Sequence, residues 1–339
     1  MFENVLFLSF ISAAASFALT FLVTDILVIY LRRKSILDIP NSRSSHTIPT
    51  PRGGGWALIG AQFVTWPLIA LLTNDHLQTA PLFPLLVSAL ILMYISWLDD
   101  LRSVSPFFRL LCQALSVVII LMTFGSEGLF FQGLFPFVID RILIVFAFIW
   151  WINLFNFMDG IDGISGQQTI FLCLGFAILF FWTGTVDLGL YSISLLFAAL
   201  AFLIWNWHPA RIFLGDIGSI FLGFITGWLM LHLLSKGLWF QVIFLPGFYY
   251  ADATMTLLKR LVRKENIFKP HQQHFFQRPI LNGLPAHKIC KTIILYNTVL
   301  FIISLLAFWE HDHLGIMAII AIFTIVFLLR QLKKKKMPL

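Results

Sequence analysis

The chain has 339 residues, 59% of them hydrophobic and only 12% charged, with a mean hydropathy of +0.89. Soluble domains are roughly half apolar and a quarter charged, so these values exclude a soluble globular protein and indicate an integral membrane protein. The net charge of +7 requires no nucleic-acid partner, because Lys and Arg beside membrane spans are the usual topology signal and attract anionic headgroups.

A helical span needs about 20 apolar residues, and runs of that kind recur from Val5 to Arg330. The predicted spans are 5–31, 54–73, 81–98, 107–124, 141–158, 169–184, 188–206, 217–235, 238–258, 289–309 and 314–331. The expected fold is therefore an all-α, polytopic transmembrane bundle of about eleven spans, forming one domain over residues 1–339. The break from Thr183 to Leu190 is weak, so the sixth and seventh spans are the least clearly separated. The first run lacks a basic n-region and exceeds a signal peptide's hydrophobic core, which makes it a retained span. Cys112, Cys173 and Cys290 show neither metal-site nor disulfide spacing and read as core filler.

Counting loops alternately puts 32–53, 99–106, 159–168, 207–216, 259–288 and the tail after 331 on one side. Every Lys and Arg except Arg141 and Lys236 lies in these loops or at the adjoining span ends. By the positive-inside rule this side is cytoplasmic, with the N-terminus out and the C-terminus in. Lys333 to Lys336 are then a membrane anchor.

The candidate chemistry lies on the same side. Asp38 to Gly55 carries Arg43, His46 and Arg52, donors suited to phosphate, and ends in a glycine triplet that could turn its amides toward an anion. A Pro/Gly-rich loop carrying topology charges explains it equally. Asp99-Asp100 closes the third span; adjacent carboxylates repel, and hard oxygens suit Mg²⁺ or Mn²⁺, although a solvated helix end paired with Arg102 also accounts for them. In Asn153-Leu-Phe-Asn156-Phe-Met-Asp159-Gly160-Ile-Asp162-Gly163, steps of three place four polar side chains along one slowly turning helix side. Such a stripe is costly to bury and points to function, with Asn suited to a nucleobase or sugar and Asp to hydroxyls or a metal.

Phe213-Leu214-Gly215-Asp216-Ile217-Gly218-Ser219 opens the eighth span and reads either as an anion-binding helix start with a cation-holding Asp216 or as an ordinary Asp cap. Lys259 to Lys264 form a basic segment, followed by Pro270-His271-Gln-Gln-His274, where phosphate contact is favoured over metal ligation because no third ligand stands at zinc spacing. His76, His208, His232, His287, His311 and His313 are read as structural.

Together, Asp38 to Gly55, Asp99-Asp100, Asn153 to Gly163, Phe213 to Ser219 and the His271 loop resemble the polyprenyl-phosphate N-acetylaminosugar-1-phosphate transferases. The resemblance implies that a UDP-N-acetylamino sugar and undecaprenyl phosphate give undecaprenyl-diphospho-sugar and UMP, with Mg²⁺ required and Mn²⁺ an alternative. It implies catalytic roles for Asp99, Asp100 and Asp216, with Asp99 the base for the lipid phosphate and Asp216 and Asp100 the metal ligands. Asn153, Asn156, Asp159, Asp162, Phe213, Arg43, His46, Arg52, His271 and His274 are implied to bind substrate, with Phe213 stacking on uracil. The loop at His271 is more similar to the O-antigen-initiating branch than to the muramyl-pentapeptide branch. The implied setting is the cytoplasmic face of the bacterial inner membrane, with membrane lipids as partners, no nucleic acid, and a homodimer allowed. A secondary transporter of an anionic solute is the competing class, disfavoured because the acids gather at one membrane side and no internal repeat is evident.

Overall fold

The computed structural model describes residues 2–40, 48–73, 82–102, 104–125, 128–266 and 271–333, without the side chains of Phe2, Asp100 and Leu101. Its helices are α1 (Phe2–Arg33), α2 (Gly55–Leu72), α3 (Leu82–Leu101), α4 (Pro106–Leu121), α5 (Phe137–Met158), α6 (Ile164–Trp182) and α7 (Val186–Asn206). They are followed by α8 (Gly215–Ser235), α9 (Trp239–Phe244), α10 (Gly247–Val262), α11 (Gln277–Leu281), α12 (Ala286–Trp309) and α13 (Leu314–Lys333). A two-stranded antiparallel ribbon joins β1 (Leu37–Asp38) to β2 (Thr50–Pro51).

Among the described residues nine helices are long and apolar enough to cross a membrane, and α4 is a shorter apolar one. The polytopic helical bundle follows the hydropathy pattern closely. One expected span does not form as a single helix: residues 238–258 divide into α9 and α10 around Pro246. Proline lacks the N–H that would continue the ladder, so an apolar run of span length is broken there. The weak break after Thr183 does separate two helices, α6 ending at Trp182 and α7 starting at Val186.

The bundle is organised around α8, almost wholly buried. In lipid no hydrophobic drive separates helix from helix, so close packing depends on small residues that let backbones approach. Ser219, Gly223 and Gly227 supply that stripe at steps of four. A Cβ on Gly223 would lie 3.1 Å from Ile152 Cα, and one on Gly227 only 2.1 Å from the Phe148 ring, so α5 lies directly on the stripe. The Trp151 indole N–H donates to Thr226 Oγ1 at 3.1 Å, and the Ser219 hydroxyl donates to Asn156 Oδ1 at 2.6 Å. The α5–α8 seam thereby brings Asn156 near Asp216, at the end of the bundle where α3 and α5 finish and α4 and α8 begin.

Candidate active site

Residues 50–55 are strapped to the turn before α8. The Phe213 N–H donates to the Pro51 carbonyl at 2.8 Å, the Gly53 and Gly54 N–H groups donate to the Phe213 carbonyl at 3.1 and 2.8 Å, and Gly55 N–H donates to the Leu214 carbonyl at 2.9 Å. The approach is close enough that a Cβ on Gly55 would sit 2.3 Å from Gly218 Cα, which is why glycine stands there. The glycine triplet therefore does not turn its amides toward an anion: these donors are already paired with protein carbonyls. What the strap does instead is set Arg52 against Asp216, with Nη2 to Oδ1 at 2.6 Å.

Beside this strap lies a cavity of about 720 Å³ with two chemically distinct parts. Its polar part is formed by Asp99, Arg109, Gln113, Asn153, Asn156, Asp216, His271, His274 and Gln277. Its apolar part is formed by Leu92, Ile95, Leu110, Phe146, Ile149, Trp150, Phe157, Ile220 and Leu257. Of the residues expected from sequence, Asp99, Asn153, Asn156, Asp216, His271 and His274 converge here from four separate chain segments. Arg43 and His46 lie outside the described residues, as does the side chain of Asp100.

The polar side chains are held by specific partners. Ser105 caps α4, accepting from Phe108 N–H, and Pro106 follows at the first helical position, so α4 starts sharply after α3. That turn brings Arg109 onto Asp99, whose Oδ2 accepts from Arg109 Nη1 while Oδ1 accepts from Val104 N–H at 2.8 Å. One helical turn further, Gln113 and Asn153 exchange amide hydrogen bonds, the shorter from Asn153 Nδ2 to Gln113 Oε1 at 2.6 Å. Neither Arg109 nor Gln113 was singled out from sequence, yet both stand four apart on one face of α4 and line the cavity.

The expected polar stripe at 153–162 is only partly a helix face. The helix α5 ends at Met158, so Asn153 and Asn156 remain on it while Asp159 caps its end and Asp162 lies in the turn beyond. Asp159 is half-buried beside Asp216, and its carboxyl is pushed up to about 7, first by burial and then by the Asp216 charge, with the Ser165 hydroxyl and Arg52 opposing. Asp162 faces another way. Its Oδ2 pairs with His208 Nδ1 at 2.8 Å and accepts from Ala210 N–H at 3.2 Å, and the His287 ring stacks on His208. For His208, expected to be structural, the fold of the 206–214 segment supplies an acid partner in Asp162, 46 residues away. Arg52, Asp159 and Phe213 thus gather at the strap, and Asp162 at His208, rather than lining the cavity.

His271 and His274 stack at 4.9 Å between ring centres. The His274 Nδ1 lies 3.0 Å from Oδ1 of Asp252, a fully buried carboxylate on α10 that the sequence reading passed over. Burial, with the neighbouring His274 and Arg260, lowers the His271 imidazole to about 4, against the pull of Glu265 and Asp252.

Among the described residues no group of three or more His, Cys, Asp or Glu side chains forms a preassembled metal cage. Mg²⁺ seldom needs one, being held commonly by one or two carboxylates plus substrate phosphates. A hard-oxygen carboxylate at the cavity wall, Asp216, with the Asp159 carboxyl close by, fits such a cation.

Comparison with known proteins gives a consistent family. Residues 82–234 match the family model described as glycosyl transferase family 4. The chain is 30% identical to the probable undecaprenyl-phosphate N-acetylglucosaminyl 1-phosphate transferase of Bacillus subtilis, over 79% of this chain and 76% of that protein. It is 27% identical to the undecaprenyl-phosphate alpha-N-acetylglucosaminyl 1-phosphate transferase of Escherichia coli K12, over 86% of this chain and 83% of that protein. It is also 27% identical to the phospho-N-acetylmuramoyl-pentapeptide-transferase of Staphylococcus epidermidis, over 90% of this chain and 99% of that protein.

Proposed function

Because the chain belongs to glycosyl transferase family 4, we propose that it transfers a sugar 1-phosphate from a UDP-sugar to undecaprenyl phosphate, releasing UMP. The observation that carries this reading is the divided cavity. A prenyl phosphate has an anionic head on a long apolar tail, and here Arg109, His271 and His274 stand beside a wall of Leu92, Ile95, Leu110, Phe146, Ile149 and Trp150. One pocket accommodates both ends of such a molecule.

Phosphoryl transfer asks mainly for positioning and for neutralisation of charge on the transferred group. Asp99 has both oxygens engaged, by Val104 N–H and by Arg109. In this reading it holds the Arg109 guanidinium in place for phosphate oxygens instead of taking a proton. The Gln113–Asn153 pair and the Ser219–Asn156 bond fix two amides on α5; both Asn153 donors are taken, by Gln113 and the Ile149 carbonyl, so the Asn156 Nδ2 donors are the ones offered to the sugar or nucleotide. Asp216, and Asp100 beside it in the expected set, would hold Mg²⁺, with Mn²⁺ as substitute. The cation supplies charge neutralisation at the diphosphate. Arg52, paired with Asp216, would supply a guanidinium to the diphosphate beside that cation.

The donor in this proposal is a UDP-N-acetylamino sugar without a peptide, a reading supported by the His271-Gln-Gln-His274 loop, which is more similar to the O-antigen-initiating branch than to the muramyl-pentapeptide branch. The product would begin an O-antigen or related envelope polysaccharide. The active site is assigned to the cytoplasmic face of the inner membrane, supported by the concentration of Lys and Arg on the side that carries the acids. The test uses purified protein with undecaprenyl phosphate and a panel of UDP-sugars, in Mg²⁺ or in chelator. Lipid-linked sugar from a UDP-N-acetylhexosamine, lost in chelator and in Asp216→Asn, is expected. Turnover that survives both treatments would contradict the metal assignment.

A further inference from the structure

The loop that carries the two cavity histidines is held by an acid buried beneath it. Asp252 on α10 is fully buried, and its carboxylate collects donors from the loop on both oxygens. Oδ1 accepts from Phe275 N–H at 3.1 Å and Oδ2 from Phe276 N–H at 3.0 Å. Thr256 Oγ1 also reaches Oδ1, at 3.4 Å. His274, itself almost completely buried, completes the set with Nδ1 at 3.0 Å from Oδ1. A carboxylate oxygen accepts, so Nδ1 of His274 carries the hydrogen. In the neutral ring Nε2 is then the lone-pair nitrogen, left to the cavity that His274 lines.

His271 is arranged in the opposite sense. Its Nδ1 accepts from the backbone N–H of Gln273 at 3.3 Å, which places the ring hydrogen on Nε2. The two rings stack at 4.9 Å and 25°, and both line the cavity, so the loop offers one imidazole acceptor and one imidazole donor side by side. A dianionic phosphate would be met by two donors. A donor beside an acceptor instead complements a phosphate monoester that still carries one proton, a form well populated near neutrality because its second ionisation lies near pH 6.

We propose that Asp252 is a positioning residue that fixes His274 with Nε2 as proton acceptor for the incoming lipid phosphate, while His271 Nε2–H orients a second oxygen of the same group. This rests on the reaction proposed above. The P–OH proton passes to His274 Nε2, and the freed phosphate oxygen bonds to the sugar-linked phosphorus. The bond from that phosphorus to the UMP oxygen breaks, and the imidazolium, ion-paired to Asp252, returns the proton to departing UMP. Charge and protons balance without any further reactant.

The test combines tautomer and kinetics. NMR of protein carrying isotope-labelled histidine, with His271→Asn and His274→Gln to assign the two signals, reads the tautomers in the wild type. The Nδ1–H form at His274 and the Nε2–H form at His271 are expected. Asp252→Asn presents an amide donor to His274 and is expected to shift it toward the Nε2–H form. His274→Gln hydrogen-bonds but takes up no proton, so turnover should fall about 100-fold or more with KM nearly unchanged. Asp252→Asn added to His274→Gln should slow turnover by much less than the product of the two single losses, because the acid acts on the reaction through the histidine even though it also holds the Phe275 and Phe276 amides. Nε2–H at His274 in the wild type, or losses that multiply in the double variant, would overturn the inference. The wild-type tautomers need no variant at Asp252, so misfolding of Asp252→Asn leaves that decision intact. A wild type that makes no lipid-linked product overturns the proposed reaction instead, which separates the two failures.

Discussion

Replacing Gly55 by Ala tests the strap that brings β2, α2 and the turn before α8 together. The new Cβ would sit 2.3 Å from Gly218 Cα and 2.5 Å from Gly218 N. Carbon atoms pack at about 3.5–4.0 Å, so the backbones of α2 and α8 must part by more than about 1 Å. No flexible side chain can yield instead, because both neighbours are main-chain atoms. Overpacking of this kind costs about 1–3 kcal/mol. The hydrogen bonds from Gly53, Gly54 and Gly55 to the Phe213 and Leu214 carbonyls transmit the displacement to Arg52 and Asp216. A misplacement of about 1 Å can reduce turnover by about 100-fold. Gly60→Ala is the matched control: it lies on the same helix, exposed, with nothing within 4 Å of an added Cβ. There the exchange should be neutral or stabilise by about 0.5–1 kcal/mol through backbone entropy. Thermal unfolding followed with a thiol-reactive dye at buried Cys173 and Cys290, together with turnover, measures both effects. If the two variants matched in midpoint and rate, the strap would not be what fixes Arg52 and Asp216.

Gln113→Leu should leave the Asn153 amide with an unmatched donor in the cavity wall, costing about 1–3 kcal/mol; turnover should drop while Gln113→Glu retains more, as measured by UMP release. Arg109→Lys should restore only part of the rate lost in Arg109→Ala, because an ammonium cannot hold Asp99 and a phosphate in one planar fork. The Asp159 carboxyl, raised to about 7 chiefly by burial, makes the folded chain bind a proton more tightly than the unfolded one. Its contribution is therefore complete in acid and is lost as pH rises from about 4 through about 7. In chelator, the thermal midpoint should fall from pH 5 to pH 8, and Asp159→Asn should flatten that slope.

The spans and the acid motifs were legible because both are local: apolar length announces a helix, and an intramembrane Asn or Asp announces a use. Pro246 shows the limit of length alone, since residues 238–258 are apolar enough to span yet divide at a residue that cannot continue the ladder. The glycine triplet was noticed for the right residues and given the wrong neighbour. Its partner is the Phe213 carbonyl, remote in sequence, and nothing local indicates a pairing of that kind. Arg109, Gln113, Asp252 and His208 were missed for the same reason: each matters through a partner brought in by helix packing, between 10 and 46 residues away. One signal was available for two of them. Arg109 and Gln113 are four apart at the start of an otherwise apolar helix, the spacing that puts two polar groups on one face.

The central claim is that this chain moves a sugar with its phosphate, not the sugar alone. The direct measurement is the nucleotide released when purified protein in Mg²⁺ converts undecaprenyl phosphate and a UDP-N-acetylhexosamine to lipid-linked product. Equal amounts of UMP and of lipid carrying a diphosphate are predicted. Release of UDP with a monophosphate-linked lipid, or no product with any donor in the panel, would contradict the account.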